Sequence, residues 1–248
     1  MFLVNAWDGA SARYLRSAGN SVIGTTSLGT AYAGGQPDGE GRTFADVLAL
    51  VEQCTRLGIP VSADIENGFS DDPDEVLGYV REIHSAGALG INIEDGRADN
   101  TLSPVDVAAE KIKAISRHIP GLFINARTDP YWINDDESAQ DKYQTATSRA
   151  RTYLQAGAHG IFVPGTPGQE TVRSLVSEIP APLNVLYRPG GPTLTELASA
   201  GAARVSTGSL LFRMSLGSLE TTVRTIRADE SVASDSVPTY AAINAMPD

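Results

Sequence analysis

The sequence predicts an α/β fold of one domain, a (β/α)8 TIM barrel, and three observations carry the prediction. Eight short runs rich in Val, Ile and Leu recur along the chain, helical stretches separate them, and four of those stretches enter a small-residue turn just before the next run. A chain of 248 residues also falls in the usual range for one such barrel.

The eight runs are Phe2–Ala6, Val22–Thr25, Pro60–Ala63, Leu89–Ile93, Leu122–Ala126, Gly160–Val163, Leu183–Leu186 and Ala203–Ser206. They are nearly continuous in apolar residues rather than alternating, as parallel strands covered on both faces are. Between them the periodicity predicts helices over Ser11–Ala18, Phe44–Leu57, Asp74–Ala86, Val105–His118, Ala139–Ala156, Gln169–Glu178, Thr193–Ala200 and Leu210–Arg227. The turns Ala18-Gly19, Leu57-Gly58-Ile59-Pro60, Ala86-Gly87-Ala88 and Ala156-Gly157-Ala158 place glycine where a helix ends in a left-handed residue. A doubly wound open sheet shares this local pattern, but eight βα units in one domain suit a closed barrel. The barrel is expected over residues 1–230, with a tail over 231–248. From Ala228 onward the chain is rich in Ser, Asp and Ala and is read as a loose terminus or a strap packing on a neighbouring subunit.

A formal net charge of −11 and the lack of any Lys/Arg run argue against nucleic acid as a partner. A small anionic substrate stays open, because a few cations or a metal focused in a cleft suffice to bind it. The single cysteine, Cys54, falls in a helical segment, so no intramolecular disulfide or thiolate metal cluster can form, and a reducing, cytoplasmic setting is expected. No stretch of about 18 apolar residues and no basic leader segment is present, so no membrane partner is expected.

In such a barrel the active site is built at the C-terminal ends of the strands. The third run ends Asp64-Ile65-Glu66-Asn67-Gly68-Phe69 and the fourth ends Glu94-Asp95-Gly96. If the backbone stays extended, Asp64 and Glu66 point the same way, and Glu94 joins them from the next strand. Three converging carboxylates repel unless a cation unites them, and Mg2+, with Mn2+ as a substitute, suits hard oxygen ligands. His84, His118 and His159 lie late in helices or just after one, on the opposite side of the barrel, and no Cys or His spacing argues for zinc. The fifth run ends Arg127-Thr128-Asp129, where a guanidinium can clamp a substrate carboxylate or pair with one of the same acids. Hydroxyls and backbone N–H groups of Thr25-Thr26-Ser27-Leu28-Gly29 are placed to cradle an oxyanion.

Asn5-Ala6-Trp7-Asp8, Thr25-Thr26-Ser27, Pro37-Asp38-Gly39, Ala63-Asp64-Ile65-Glu66-Asn67-Gly68-Phe69, Gly90-Ile91-Asn92-Ile93-Glu94-Asp95-Gly96 and Asn125-Ala126-Arg127-Thr128-Asp129 together resemble the isocitrate lyase/phosphoenolpyruvate mutase superfamily. The match runs in order from about Val4 to Arg213. The resemblance implies that Asp64, Glu66 and Glu94 hold Mg2+, partly through water. It implies that Thr26, Ser27 and Leu28 contact the substrate carboxylate, that Arg127 supports its oxygens, and that Asp38 stands near substrate and metal. It further implies a homodimer or homotetramer in which the last barrel helix, Leu210–Arg227, is exchanged between subunits.

Two motifs depart from the superfamily pattern. Its lyases carry a Lys-Lys-Cys-Gly-His-type loop after the fourth strand and its phosphonate-handling members a Lys-Thr-Asn-type segment, whereas this chain reads Gly96-Arg97-Ala98-Asp99-Asn100-Thr101-Leu102-Ser103. The sixth run ends Phe162-Val163-Pro164-Gly165, where many of the lyases have glutamate. The first expectation is therefore a Mg2+-dependent carbon–carbon lyase or decarboxylase acting on a small 2-oxo or 2-hydroxy di- or tricarboxylate through a metal-stabilised enolate. Decarboxylation asks least of the missing loop acid. The alternatives are phosphorus–carbon chemistry, which would enlist Arg188 after the seventh strand and more weakly Arg97, and a barrel that only binds.

Overall fold

The computed structural model describes residues 1–133, 136–234 and 237–246. Eight parallel strands close into a barrel in sequence order, β1 pairing with β8 through Phe2↔Val205 and Leu3↔Ser206. They are β1 (Phe2–Ala6), β2 (Ile23–Thr25), β3 (Val61–Asp64), β4 (Gly90–Glu94), β5 (Phe123–Arg127), β6 (Gly160–Phe162), β7 (Leu183–Leu186) and β8 (Arg204–Ser206). Each expected run holds a strand, with bounds shifted by a residue or so.

The outer ring begins with α1 (Gly9–Ser17), which starts earlier than Ser11 because Asp8 caps it. The Asp8 carboxylate accepts from Ser11 N–H at 2.7 Å, and the Ser11 hydroxyl answers the Asp8 backbone, a reciprocal capping box. Then come α2 (Ser27–Ala33), α3 (Phe44–Arg56), α4 (Pro73–Ser85), α5 (Val105–His118), α6 (Pro130–Ile133), α7 (Ala139–Ala156), α8 (Gln169–Glu178), α9 (Leu194–Ser199), α10 (Leu210–Arg227) and α11 (Tyr240–Asn244). The periodicity predicts neither α2 nor α6, which are too short to repeat an apolar stripe, nor α11. The α7 helix ends on Gly157, whose φ of 107° demands a residue without a β-carbon penalty. The tail is not wholly detached from its own barrel, since Arg13 Nη2 donates to the Met246 carbonyl at 2.8 Å. No helix of the described residues is long and apolar enough to cross a membrane.

The core lies between barrel and helices, with Ile23, Val61, Ile91, Ile124, Ile161 and Val185 facing outward onto residues such as Val51, Val80, Ile115, Tyr153 and Leu175. Inside the barrel the composition changes. A shear of about eight residues per circuit puts residues one position further along each successive strand at one height. By that rule Thr26, Glu94, Pro164 and Gly208 form the top layer, and Asn5, Asp64, Arg127 and Leu186 the one beneath. Gly24, Asn92, Phe162 and Ser206 follow, then Leu3, Ser62, Asn125 and Asn184, and Arg204 stands at the bottom with Gly90 and Gly160. Amide side chains tie the layers together: Asn125 Nδ2 donates to Asn92 Oδ1 at 2.9 Å, and Asn92 Nδ2 to Asp64 Oδ1 at 3.0 Å.

Cys54 is 0 % exposed on the inner face of α3, and burial pushes its thiol up to about 11. It packs and does not react: native protein should resist a thiol reagent at pH 8 until denatured, and Cys54→Ala should cost about 1 kcal/mol in urea unfolding.

Candidate active site

A cavity of about 300 Å3 opens at the C-terminal ends of the strands. Asp38, Asp64, Glu66, Glu94, Arg127 and Asp129 all line it, as do Thr26, Ser27 and Leu28 from the β2 end and α2. Arg188 does not: it stands past the end of β7 with its Nη2 donating to the Thr166 carbonyl at 3.0 Å. Once the strand has ended, sequence position no longer fixes where a side chain points.

The acids are held individually. Asp64 is the last residue of β3; its Oδ2 accepts from Ser27 N–H at 2.9 Å and its Oδ1 from Asn92. Glu66 does not follow it on an extended backbone. Its φ is 50°, a left-handed turn that redirects the side chain, so the two-residue alternation fails there. The Glu66 carboxylate, 2 % exposed, instead accepts from the Thr43 hydroxyl and from Gly41 N–H at 3.0 Å, fastening the loop before α3 to the loop after β3. Glu94 Oε2 is ion-paired with Arg127 Nη1, without the alignment of a hydrogen bond.

Arg127 is the hub. Its Nε donates to Asp129 Oδ1 at 2.7 Å, and its guanidinium lies 5.8 Å from the Trp132 ring centroid and 5.6 Å from that of Phe162. Of the two alternatives for this residue the structure shows the ion pair, in a guanidinium that also lines the cavity. Asp129 is positioned in turn by Asp95, 1 % exposed, which accepts from Asp129 N–H at 2.9 Å, Thr128 Oγ1 at 2.8 Å, Tyr153 Oη at 2.7 Å and Arg149 Nη1 at 3.0 Å. Arg149 also donates to the Ser103 carbonyl, so one buried carboxylate joins β5, α7 and the loop after β4. That loop is further fixed by Arg97, which pairs with Asp71 at 2.8 Å, the same carboxylate that Lys111 grips at 3.0 Å.

Crowding shows in the proton affinities. Burial raises the Asp38 carboxyl and the neighbouring Asp64 raises it further. Burial likewise raises Glu66, against the pull of Thr43 and Gly41, and lifts Glu94 well above the usual range despite Arg127. Asp129 is pushed up to about 6 by burial, offset in part by Arg127. Asp38 Oδ1 is buried with no hydrogen-bond partner.

The features in hand are a closed parallel barrel, acids at the ends of β3 and β4, and a basic hub at the end of β5. A family model described as phosphoenolpyruvate phosphomutase matches residues 1–227. The chain belongs to the phosphoenolpyruvate phosphomutase family. An uncharacterized protein of Mycobacterium tuberculosis strain H37Rv is 40 % identical over 243 residues, covering 98 % of this chain and 90 % of that protein. The structure of a candidate phosphonomutase from Burkholderia cenocepacia superposes with a TM-score of 0.83 at 34 % identity, covering 90 % of this chain and 93 % of the other. A 2-methylisocitrate lyase from Bacillus subtilis is 28 % identical over 187 residues, 72 % of this chain and 60 % of the enzyme. This phosphomutase-family chain thus stands among lyases and mutases of the phosphoenolpyruvate mutase/isocitrate lyase superfamily.

Several residues of the site escape a reading of strand ends alone. Asn92, Asn125 and Asn184 each interrupt an apolar strand before its end, and that asparagine among apolar residues was the available signal. Thr43, Trp132 and Asp129's support by Asp95 carry no local signature. Removing that support should be costly: Asp95→Asn leaves Arg149 buried without its counter-charge and should lose about 3 kcal/mol in denaturant unfolding, while Tyr153→Phe should lose about 1 kcal/mol.

Proposed function

We propose that this chain is a divalent-metal-dependent lyase that cleaves a carbon–carbon bond in a small 2-oxo or 2-hydroxy carboxylic acid, with decarboxylation the simplest case. The observation that carries the reading is the set of acids around the cavity. Asp38 Oδ1 is buried without a hydrogen-bond partner, Glu94 Oε2 has only its ion pair with Arg127, and the carboxyls of Asp38, Glu66 and Glu94 are all raised, chiefly by burial. Hard oxygen donors that repel one another fit Mg2+ or Mn2+. Among the described residues no three His, Cys, Asp or Glu side chains form a ready-made cage, so an ion held here would have to take several of its ligands from water.

Asp64, Glu66 and Glu94, with Asp38 beside them, would hold the ion. When bound, it supplies a Lewis acid for the negative charge that develops on the substrate's 2-oxygen. The chain's own groups do the rest. Thr26, Ser27 and Leu28 line the side of the cavity suited to the substrate's 1-carboxylate, and Arg127 presents a positive charge opposite the acids. Asp129, Trp132 and Phe162 fix the orientation of Arg127, so little ordering remains when substrate arrives. Asp38 combines an orphan oxygen with a raised carboxyl and is the group best placed to hold a proton at the reacting end. Trp132, Phe162 and Leu186 contribute apolar surface to the same cavity.

Phosphorus–carbon chemistry is the second reading, favoured by the candidate phosphonomutase at 34 % identity. At the level of the acids the cavity offers a phosphonate no more cations than a carboxylate: Arg97 is engaged by Asp71, Arg127 is shared with two acids, Arg188 lies outside, and Arg204 stands at the floor. Turnover of oxaloacetate, 2-methylisocitrate, isocitrate and phosphonopyruvate, each with Mg2+ and after chelation, decides between them. A carboxylic acid should be consumed only with metal, and Asp64→Asn should lower kcat/KM by a factor on the order of 100. Arg127→Lys should chiefly raise KM, because a point charge cannot reproduce the planar fork. Turnover that survives chelation contradicts the reading.

We also propose a homo-oligomer built on α10. This helix carries Met214, Leu219, Val223 and Ile226 on its exposed side, Leu219 at 63 %, a larger apolar face than a monomer usually leaves in water. Light scattering should give a dimer or tetramer for the wild type, and Leu219→Asp should shift it to a smaller species; a wild-type monomer at micromolar concentration rejects the assembly.

A further inference from the structure

The cavity continues below the catalytic layer, and its lining reaches Ser62, Asn184 and finally Arg204. Bulky branched side chains ordinarily fill these levels of a barrel. Here glycine, serine and asparagine leave a polar well. Arg204 opens β8 three residue levels beneath Asp64, a depth of about 8 Å at the usual strand rise and tilt. Its guanidinium makes no hydrogen bond and no ion pair with any described residue, and Nε is buried without a partner. Its one described contact is the Phe123 ring, 6.0 Å away. Burial alone pulls its pKa down, to about 10, so it remains charged at neutral pH. No acid lines this end of the cavity. Arg204 is half-buried: Nε is cut off from solvent while the rest of the guanidinium stays accessible, and a small anion can supply the counter-charge that this partly desolvated cation lacks.

Asn184 supplies a second, independent sign. It is 2 % exposed, its Nδ2 lies 3.3 Å from Ser206 Oγ, and its Oδ1 is buried without a partner. Turning the amide over lets Oδ1 accept from the Ser206 hydroxyl and leaves a free N–H donor on a side chain that lines the same well.

We propose that the floor of the barrel is a binding site for a carboxylate-sized oxyanion, held by Arg204 and Asn184 and reached from the same opening as the catalytic cavity. Two sources share this chemistry: the far carboxylate of a dicarboxylic substrate, or a free monovalent anion of formate size. Only the first rests on the function proposed above. The site explains why an arginine without a partner stands where this fold usually packs aliphatic side chains.

Calorimetric titration of the wild type, Arg204→Met and Arg204→Lys with formate, oxalate, succinate and glutarate tests the site without reference to turnover. Thermal unfolding confirms that each variant is folded, and Arg204→Met is expected to be at least as stable as the wild type because it removes an unpaired, partly buried charge. Formate should bind the wild type, at least tenfold more weakly to Arg204→Met, and with intermediate affinity to Arg204→Lys. If the far carboxylate of the substrate occupies the floor, succinate or glutarate displaces formate and weakens with Arg204→Met, while oxalate, too short to span the well, is unaffected. If a free anion occupies it, formate binds alongside the dicarboxylates and still depends on Arg204. Equal formate affinity in the wild type and Arg204→Met, or no anion binding by the wild type, overturns the proposal whether or not oxaloacetate is turned over.

Discussion

The constraint on which the rest of the site depends is the concentration of negative charge around Arg127. Glu94 and Asp129 pair with its guanidinium, and Asp64 and Asp38 stand close enough to raise the proton affinity of their neighbours. Burial first, and the repulsion of neighbouring acids second, hold the carboxyls of Asp38, Glu94 and Asp129 above their usual range. Electrostatic strain of this kind is tolerated where it serves function and is supported by the surrounding scaffold.

The support comes from behind the strands. Asp95 fastens the end of β5 to α7 and to the loop after β4, and Asp71 links Lys111 and Arg97 across two loops. Glu66 performs the same task on the other side, where its left-handed backbone lets the carboxylate reach Thr43 and Gly41. Acids of one sequence motif thus line the cavity and tie the frame at once: Asp64 accepts from Ser27 and Asn92, and Glu66 from Thr43 and Gly41. Chemistry and rigidity are drawn from neighbouring residues.

The sequence made the barrel legible because its strands are buried on both faces and announce themselves as unbroken apolar runs. Asp64, Glu94 and Arg127 were legible for a related reason: each is the last residue of a regular strand, where alternation still fixes direction. Glu66 and Arg188 lie beyond that limit. The positive φ of the first and the loop position of the second decide where their side chains go, and neither can be read from spacing. The short helix α2, which sets Ser27 against Asp64, is too brief to leave a periodic pattern. Arg204 was missed because attention to the C-terminal ends of strands passes over a residue at the start of one.

The central claim is that the acids at the barrel opening form a site for a divalent cation. Manganese titration followed by electron paramagnetic resonance measures this directly, without assuming any substrate. One Mn2+ per chain, displaced by Mg2+ and lost when Asp38 and Asp64 are both replaced by Asn, is the predicted result. A wild type whose free Mn2+ signal is undiminished at millimolar protein and metal would contradict the account.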